Sequence, residues 1–164
     1  MKLAKVFKEN KQFTLFSILA LVVVGVAVFA PQIAPYDPLD AVMLESLQAP
    51  SSAHPFGTDK LGRDLLSRVI FGTRTSLIMT LCLVAVIFVI GTFLGVIAGY
   101  FGGIVDGVIM RIADMMISFP GLVLAIAIAG MLGPNLVNAV ISIAAVSWTK
   151  YARLARSMVL RVKY

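Results

Sequence analysis

Three long stretches of this chain carry no charged residue: Phe13 to Ala30, Thr75 to Val105 and Met115 to Thr149. A helix rises about 1.5 Å per residue and the hydrocarbon core of a bilayer is about 30 Å thick, so runs of this length are read as membrane-crossing helices. Hydrophobic residues make up 60% of the chain and charged residues 13%, whereas about a quarter of a soluble domain is charged. The expected fold class is all-α, a polytopic integral membrane protein with about four transmembrane helices and an external interfacial amphipathic helix.

The first run follows a basic stretch, residues 1–12, with Lys2, Lys5, Lys8 and Lys11. Such a pair of features also occurs in cleaved signal peptides, and Val28-Phe29-Ala30 resembles a cleavage site. The run exceeds the usual apolar core of about 7–15 residues, however, and Pro31 would follow the cut, so residues 13–30 are read as an uncleaved anchor. Thr75 to Val105 is enough for one tilted span and too short for two. Met115 to Thr149 is divided by Gly133-Pro134-Asn135, a turn-forming cluster, and reads as a helical hairpin. Pro120 should kink or begin the first arm, with Ser118 placed to compensate for the missing hydrogen bond.

The expected spans are therefore Phe13 to Ala30 outward, Thr75 to Tyr100 inward, Met115 to Leu132 outward and Leu136 to Thr149 inward. Basic residues beside spans mark the cytoplasmic side. Lys150, Arg153, Arg156, Arg161 and Lys163 at one end agree with the N-terminal lysines at the other, so the net charge of +6 is a topology signal rather than a nucleic-acid patch. Residues 31–74 have four basic residues, Lys60, Arg63, Arg68 and Arg74, against five acids and are placed outside, while residues 75–164 form the remaining membrane region. Tyr100, Trp148 and Tyr151 fall where inner-leaflet aromatic anchors belong.

Gly91, Gly95, Gly99 and Gly103 recur in four-residue steps and would line one helix face. In lipid, a face of small residues lets another backbone approach closely and pack by dispersion. The neighbour is either another helix of this chain or a partner subunit. In the external segment, Gly57 permits a turn, Thr58 or Asp59 can cap a helix, and Leu61, Leu65, Leu66, Val69 and Ile70 recur at helical spacing. Asp59 with Arg63 and Asp64 with Arg68 are acid-before-base pairs four apart, which support a helix or form a charged ledge at the mouth of a pathway.

Several chemistries find no footing. The apolar runs hold no ionisable Asp, Glu, Lys, Arg or His for ion coupling. Cys82 stands alone, and His54, the single histidine, has no neighbouring ligand pattern and reads as a structural loop residue rather than a metal ligand. No glycine-rich loop is followed by Lys-Ser or Lys-Thr, so no phosphate site is expected.

Motifs across nearly the whole chain resemble the C-type permease subunit of the importers for dipeptides, oligopeptides and nickel that use an ATP-binding cassette (ABC). They are Ala34-Pro35-Tyr36-Asp37-Pro38, His54-Pro55-Phe56-Gly57-Thr58-Asp59, Gly62-Arg63-Asp64, Ser67-Arg68, Gly72-Thr73-Arg74-Thr75-Ser76-Leu77, Arg111-Ile112-Ala113-Asp114, Ser118-Phe119-Pro120 and Trp148-Thr149-Lys150-Tyr151-Ala152-Arg153 with Arg156. The resemblance implies one membrane subunit of a prokaryotic inner-membrane importer, multi-pass with its N-terminus cytoplasmic. Its partners would be a second homologous permease, two ATP-hydrolysing subunits, an external solute-binding protein and the lipid bilayer, with no nucleic acid. ATP would bind only to the partners, leaving this chain without a cofactor, catalytic residue or metal. Gly57, Thr58, Asp59, Gly62, Arg63 and Asp64 would form the family's external motif, and Arg153 and Arg156 the basic lead-in to a cytoplasmic coupling loop. Family members continue past the equivalent of Tyr164 into that loop and two further spans, so the chain is expected to correspond to a permease truncated before the loop. The competing expectation is a small membrane-embedded assembly protein that holds a partner without transporting anything.

Overall fold

A computed structural model describes residues 10–163; Lys2, Lys5 and Lys8 of the basic terminus, and Tyr164, lie outside the described residues. The elements, in chain order, are α1 (Lys11–Val28), the single turn α2 (Ala30–Ile33), a 3-10 turn (Met43–Glu45), α3 (Leu65–Phe101), α4 (Gly103–Ser118), α5 (Gly121–Leu132) and α6 (Leu136–Lys163). The protein is all-α, as expected. Two compact units meet within α3, near Ile78.

In the first unit, α1 is apolar around its whole circumference, the signature of a helix immersed in lipid rather than lying on a core. It ends at Phe29, whose N–H donates to the Gly25 carbonyl, and Pro31 sits in the first turn of α2, where its missing N–H costs nothing. The segment up to Asp64 is an irregular knot rather than a helix. An interfacial helix separate from the second span does not form: residues 65–74 are the opening turns of α3, a single helix of 37 residues. At about 1.5 Å per residue α3 exceeds the thickness of a hydrocarbon core, so it has turns to spare beyond one span.

In the second unit, α3 stops at Phe101 because Gly102 and Gly103 both take positive φ, +65° and +52°. A conformation that suits glycine here ends one helix and starts the next. The expected third span, Met115 to Leu132, is not one kinked helix. Its first residues finish α4, and a bend of 93° at Phe119–Pro120 separates them from α5. Pro120 is thus the residue preceding α5, and Ser118 Oγ donates to the Met115 carbonyl at 2.6 Å. The hairpin between α5 and α6 forms at Gly133, whose φ of +89° turns the chain after its N–H closes α5 on the Ala129 carbonyl. Asn135 Oδ1 accepts the Val137 N–H, and Asn138 Nδ2 donates to the carbonyls of Leu132 and Gly133, so the turn's polar groups are paired locally. α6 continues past Thr149 through the basic stretch to Lys163.

Among the described residues, α1 and α3 are each long and apolar enough to cross a bilayer, and α4 with α5 would make a third crossing if the bent pair is one span. The buried core of the second unit is Ala113, Trp148 and Ala152, with Leu94, Ile109 and Met110 packed around it. Trp148 is therefore a core residue and not an interfacial anchor. Tyr100 is exposed at the end of α3, and Tyr151 is half-buried with its ring edge-on to Phe88.

Candidate functional site

The motif from Gly57 to Asp64 folds around two glycines and two carboxylates. Gly57 and Gly62 have φ of +73° and +75°, and a Cβ on either would meet backbone: the Gln48 carbonyl oxygen at 2.4 Å from the first, the Val42 carbonyl oxygen at 1.8 Å from the second. Any side chain there would displace the 42–48 segment that packs over the turn. Thr58 ties that segment down. Its N–H donates to the Gln48 carbonyl, its hydroxyl accepts the Gln48 N–H at 2.9 Å, and the same hydroxyl donates to the Glu45 carbonyl.

Asp59 organises the turn from within. Its Oδ1 accepts the backbone N–H groups of Leu61 and Arg63 at 2.8 and 3.1 Å, and its Oδ2 receives Arg63 Nε at 2.8 Å. Arg68 also reaches Asp59, Nη1 to Oδ2 at 3.3 Å. The Arg63 hydrogen bond, aided by the two backbone donors and opposed by partial burial, holds the Asp59 carboxyl down at about 2. The expected pair of Asp64 with Arg68 is not made, because both residues have other partners.

Asp64 is the N-cap of α3, a role expected of Thr58 or Asp59. Its Oδ2 accepts the Ser67 N–H and the Ser67 hydroxyl, both at 2.7 Å, which satisfies a donor that the helix itself leaves unpaired. Its Oδ1 faces His54 Nδ1 at 2.9 Å, while His54 Nε2 lies 3.4 Å from Glu45 Oε2. His54, Asp64 and Ser67 are all buried. Burial works against the Asp64 anion, yet the Ser67 and His54 contacts outweigh it and leave the carboxyl below its ordinary range. The Asp64 hydrogen bond raises the His54 imidazole above its ordinary value against the effect of burial. Tyr36 completes the cluster: its N–H donates to Ser67 Oγ at 3.1 Å, its hydroxyl to the Ala53 carbonyl, and its ring lies 4.9 Å from that of His54. Ser67 gives its proton to Asp64 and not to His54, so these three residues form no nucleophile and base pair.

On the second unit, the glycine face is filled by the chain itself. A Cβ on Gly91 would lie 2.6 Å from the Trp148 carbonyl oxygen, one on Gly95 2.2 Å from that of Ala152, and one on Gly99 2.8 Å from the Val159 Cβ. Contacts advance in the same direction along both helices, so α3 and α6 run parallel at backbone-to-backbone distance. Gly103 does not share this face. It lies beyond the break at Gly102, and a Cβ there would meet nothing within 4 Å.

Arg153 and Arg156 on α6 are not free cations. Arg156 Nε and Nη2 donate to Asp106 Oδ1 and Oδ2, each at 2.5 Å, and Arg153 Nη2 donates to Asp114 Oδ1. These acids sit on α4, so α6 between Trp148 and Val159 is held by close packing from α3 and by ion pairs from α4. Asp106, Asp114, Glu45, Ser67 and Tyr36 were not singled out from sequence as partners in these clusters. Asp106 and Asp114 lie between the second and third apolar runs, where two acids accompany a single base, Arg111. Among the described residues, no three His, Cys, Asp or Glu side chains are grouped to hold a metal ion.

Comparison with known proteins finds two family models matched in chain order. Residues 2–50 match the N-terminal TM domain of oligopeptide transport permease C, and residues 91–163 match the binding-protein-dependent transport system inner membrane component. The chain is 41% identical over 162 residues to the probable D,D-dipeptide transport system permease protein of Escherichia coli (strain K12), covering 99% of this chain and 54% of that protein. It is 42% identical over 144 residues to the glutathione transport system permease protein of Pectobacterium atrosepticum, covering 87% and 48%. It is 40% identical over 129 residues to the nickel transport system permease protein of Escherichia coli (strain K12), covering 79% and 47%. The chain spans about half the length of the curated relatives it matches. With two family models matched in chain order, about 40% identity to permease proteins over most of its length, a helical fold and apolar helices fit for a bilayer, the chain is a membrane protein similar to the permease C proteins of binding-protein-dependent transport systems.

Proposed function

We propose that this chain is a permease subunit of an ATP-driven importer for peptides or nickel and forms part of the substrate path through the membrane. The observation that carries this reading is the similarity, close to 40% over most of the chain, to relatives named as dipeptide, glutathione and nickel permease proteins. ATP would be hydrolysed on two partner subunits, and an external binding protein would deliver substrate to a cavity shared with a second permease. The chain would be multi-pass in the inner membrane with its N-terminus cytoplasmic, which puts the His54–Ser67 knot outside and the basic arm of α6 inside. The geometry adds a mechanical role to this reading. α3, α4 and the lower half of α6 are joined by packing and by charge, so they would move together when the pathway exchanges its outward and inward openings.

The test is deletion of the chromosomal gene followed by uptake of labelled dipeptides, glutathione and nickel ion, with complementation by the intact gene. Loss of at least one uptake, restored by the gene, is the expected result. Unchanged uptake of all three, with the protein still recovered in a membrane complex, would favour the assembly protein instead.

A further inference from the structure

His54 occupies a position that only its charged form satisfies fully. The residue is 6% exposed, Nδ1 faces the Asp64 carboxylate at 2.9 Å and Nε2 faces the Glu45 carboxylate at 3.4 Å. A neutral imidazole has one N–H and one lone pair, so it can donate to one of these carboxylates and must present the lone pair to the other. The imidazolium donates to both. The two carboxylates differ in what else holds them. Asp64 keeps its helix-capping bonds to Ser67 whatever His54 does, but the Glu45 side chain is 42% exposed and has no other ion pair among the described contacts.

The remaining groups around the ring have partners of their own. Tyr36 stacks on it from the segment after α2 and spends its hydroxyl on Ala53. In the turn and at the start of α3, Asp59 is committed to Arg63 and Arg68. The local balance is therefore one imidazolium between two carboxylates.

We propose that His54 is a proton-operated clasp in the external unit: protonated, it fastens the Glu45 segment onto the helix-capping turn, and on losing its proton it releases that segment while the cap of α3 stays in place. The released piece has defined bounds. Leu47 and Gln48 donate their N–H groups across to the Asp59 carbonyl and the Thr58 hydroxyl, so loosening at Glu45 opens these two bonds first. The sense of the dependence follows from the raised pKa of His54. The clasp is complete below the ordinary histidine value of 6.5 and is lost as pH rises through the higher value in the folded unit. An external segment meets the pH of the medium directly, so this arrangement would make the order of the 45–48 stretch follow that pH.

Hydrogen exchange of the full-length protein in lipid nanodiscs, corrected for the intrinsic rate at each pH, reads this directly. Exchange in a peptide covering Glu45 to Gln48 should be faster at about pH 8.5 than at about pH 5.5 by roughly threefold or more, with a peptide beginning at Ser67 unchanged. Glu45→Gln is the decisive variant, since the position is partly exposed and a glutamine amide can accept from the imidazolium or donate to the neutral ring. It should keep the 45–48 peptide protected at both pH values. Equal corrected exchange in the wild type would overturn the clasp, and so would a pH dependence that persists in Glu45→Gln.

Discussion

Arg156 on α6 grips Asp106 on α4 with two parallel hydrogen bonds, Nε to Oδ1 and Nη2 to Oδ2, across fifty positions of chain. A planar guanidinium matches a carboxylate in this way and an ammonium does not. Arg156→Lys should therefore destabilise the helical unit by about 1 kcal/mol, an amount kept small because the pair is partly exposed. The double variant Asp106→Arg with Arg156→Asp should recover part of the loss caused by either reversal alone. Thermal unfolding of the purified protein in lipid, analysed as a double-mutant cycle, measures this; a coupling of zero would show that the pair does not hold α4 to α6.

Gly95 makes the tightest approach of the α3 glycines to α6, and the neighbour is the rigid Ala152 backbone. Even Gly95→Ala should destabilise, by about 1–3 kcal/mol as in other overpacked sites, despite the better helix propensity of alanine. Gly107→Ala on α4, where a Cβ meets nothing within 4 Å, should be neutral or mildly stabilising. Unfolding midpoints of the two variants should move in opposite directions or by clearly different amounts. Equal midpoints would mean that the α3–α6 contact is looser than described.

Asp64 carries two jobs that substitutions can separate. Asp64→Ala removes the cap of α3 and should cost about 1–2 kcal/mol, near the upper end for N-caps because the site is buried. Asp64→Asn keeps an oxygen for the Ser67 N–H and loses the charge facing His54, so it should retain protection of the first α3 amides. Exchange at Ser67, whose N–H donates to the Asp64 carboxylate, distinguishes the two variants: fast in the alanine form and slow in the asparagine form.

The Asp59 carboxyl gives the turn before α3 an acid limit. Its value in the folded unit, about 2, lies below the ordinary 3.8, so the stabilisation is fully present above 3.8 and is lost as pH falls through about 2. Exchange of the Leu61 and Arg63 amides, which donate to Asp59, should accelerate over that interval in the wild type. In Asp59→Asn the same amides should show no such acid step.

Much of this molecule is legible in its residues, and the rest depends on contacts that no local pattern carries. The apolar runs, the turn at Gly133 and the break near Pro120 follow from hydrophobicity and backbone chemistry alone. The size of that break, 93°, does not, because a proline specifies that a helix stops and leaves the next direction to packing. Gly91, Gly95 and Gly99 announce a close approach, but the partner could be found only by seeing α6 return beside α3. Gly103 fits the four-residue series and still leaves the face, since Gly102 and Gly103 prefer to end the helix. Charge spacing misled at Asp64 and Arg68, because Asp64 lies one residue before the helix and caps it, whereas Asp59 and Arg63, also four apart, pair within the turn that precedes the helix. The pairs of Arg153 and Arg156 with Asp114 and Asp106 join residues 39 and 50 apart, so nothing in the local sequence chooses among the available acids.

The most direct measurement of the central claim is uptake into proteoliposomes that contain the complex purified through this chain from its own membranes. With ATP in the compartment of the nucleotide-binding subunits and the external binding protein supplied, labelled dipeptide or nickel ion should accumulate, and accumulation should stop when ATP is replaced by a non-hydrolysable analogue. Recovery of a stable complex that contains this chain but neither accumulates any of these substrates nor hydrolyses ATP would contradict the account.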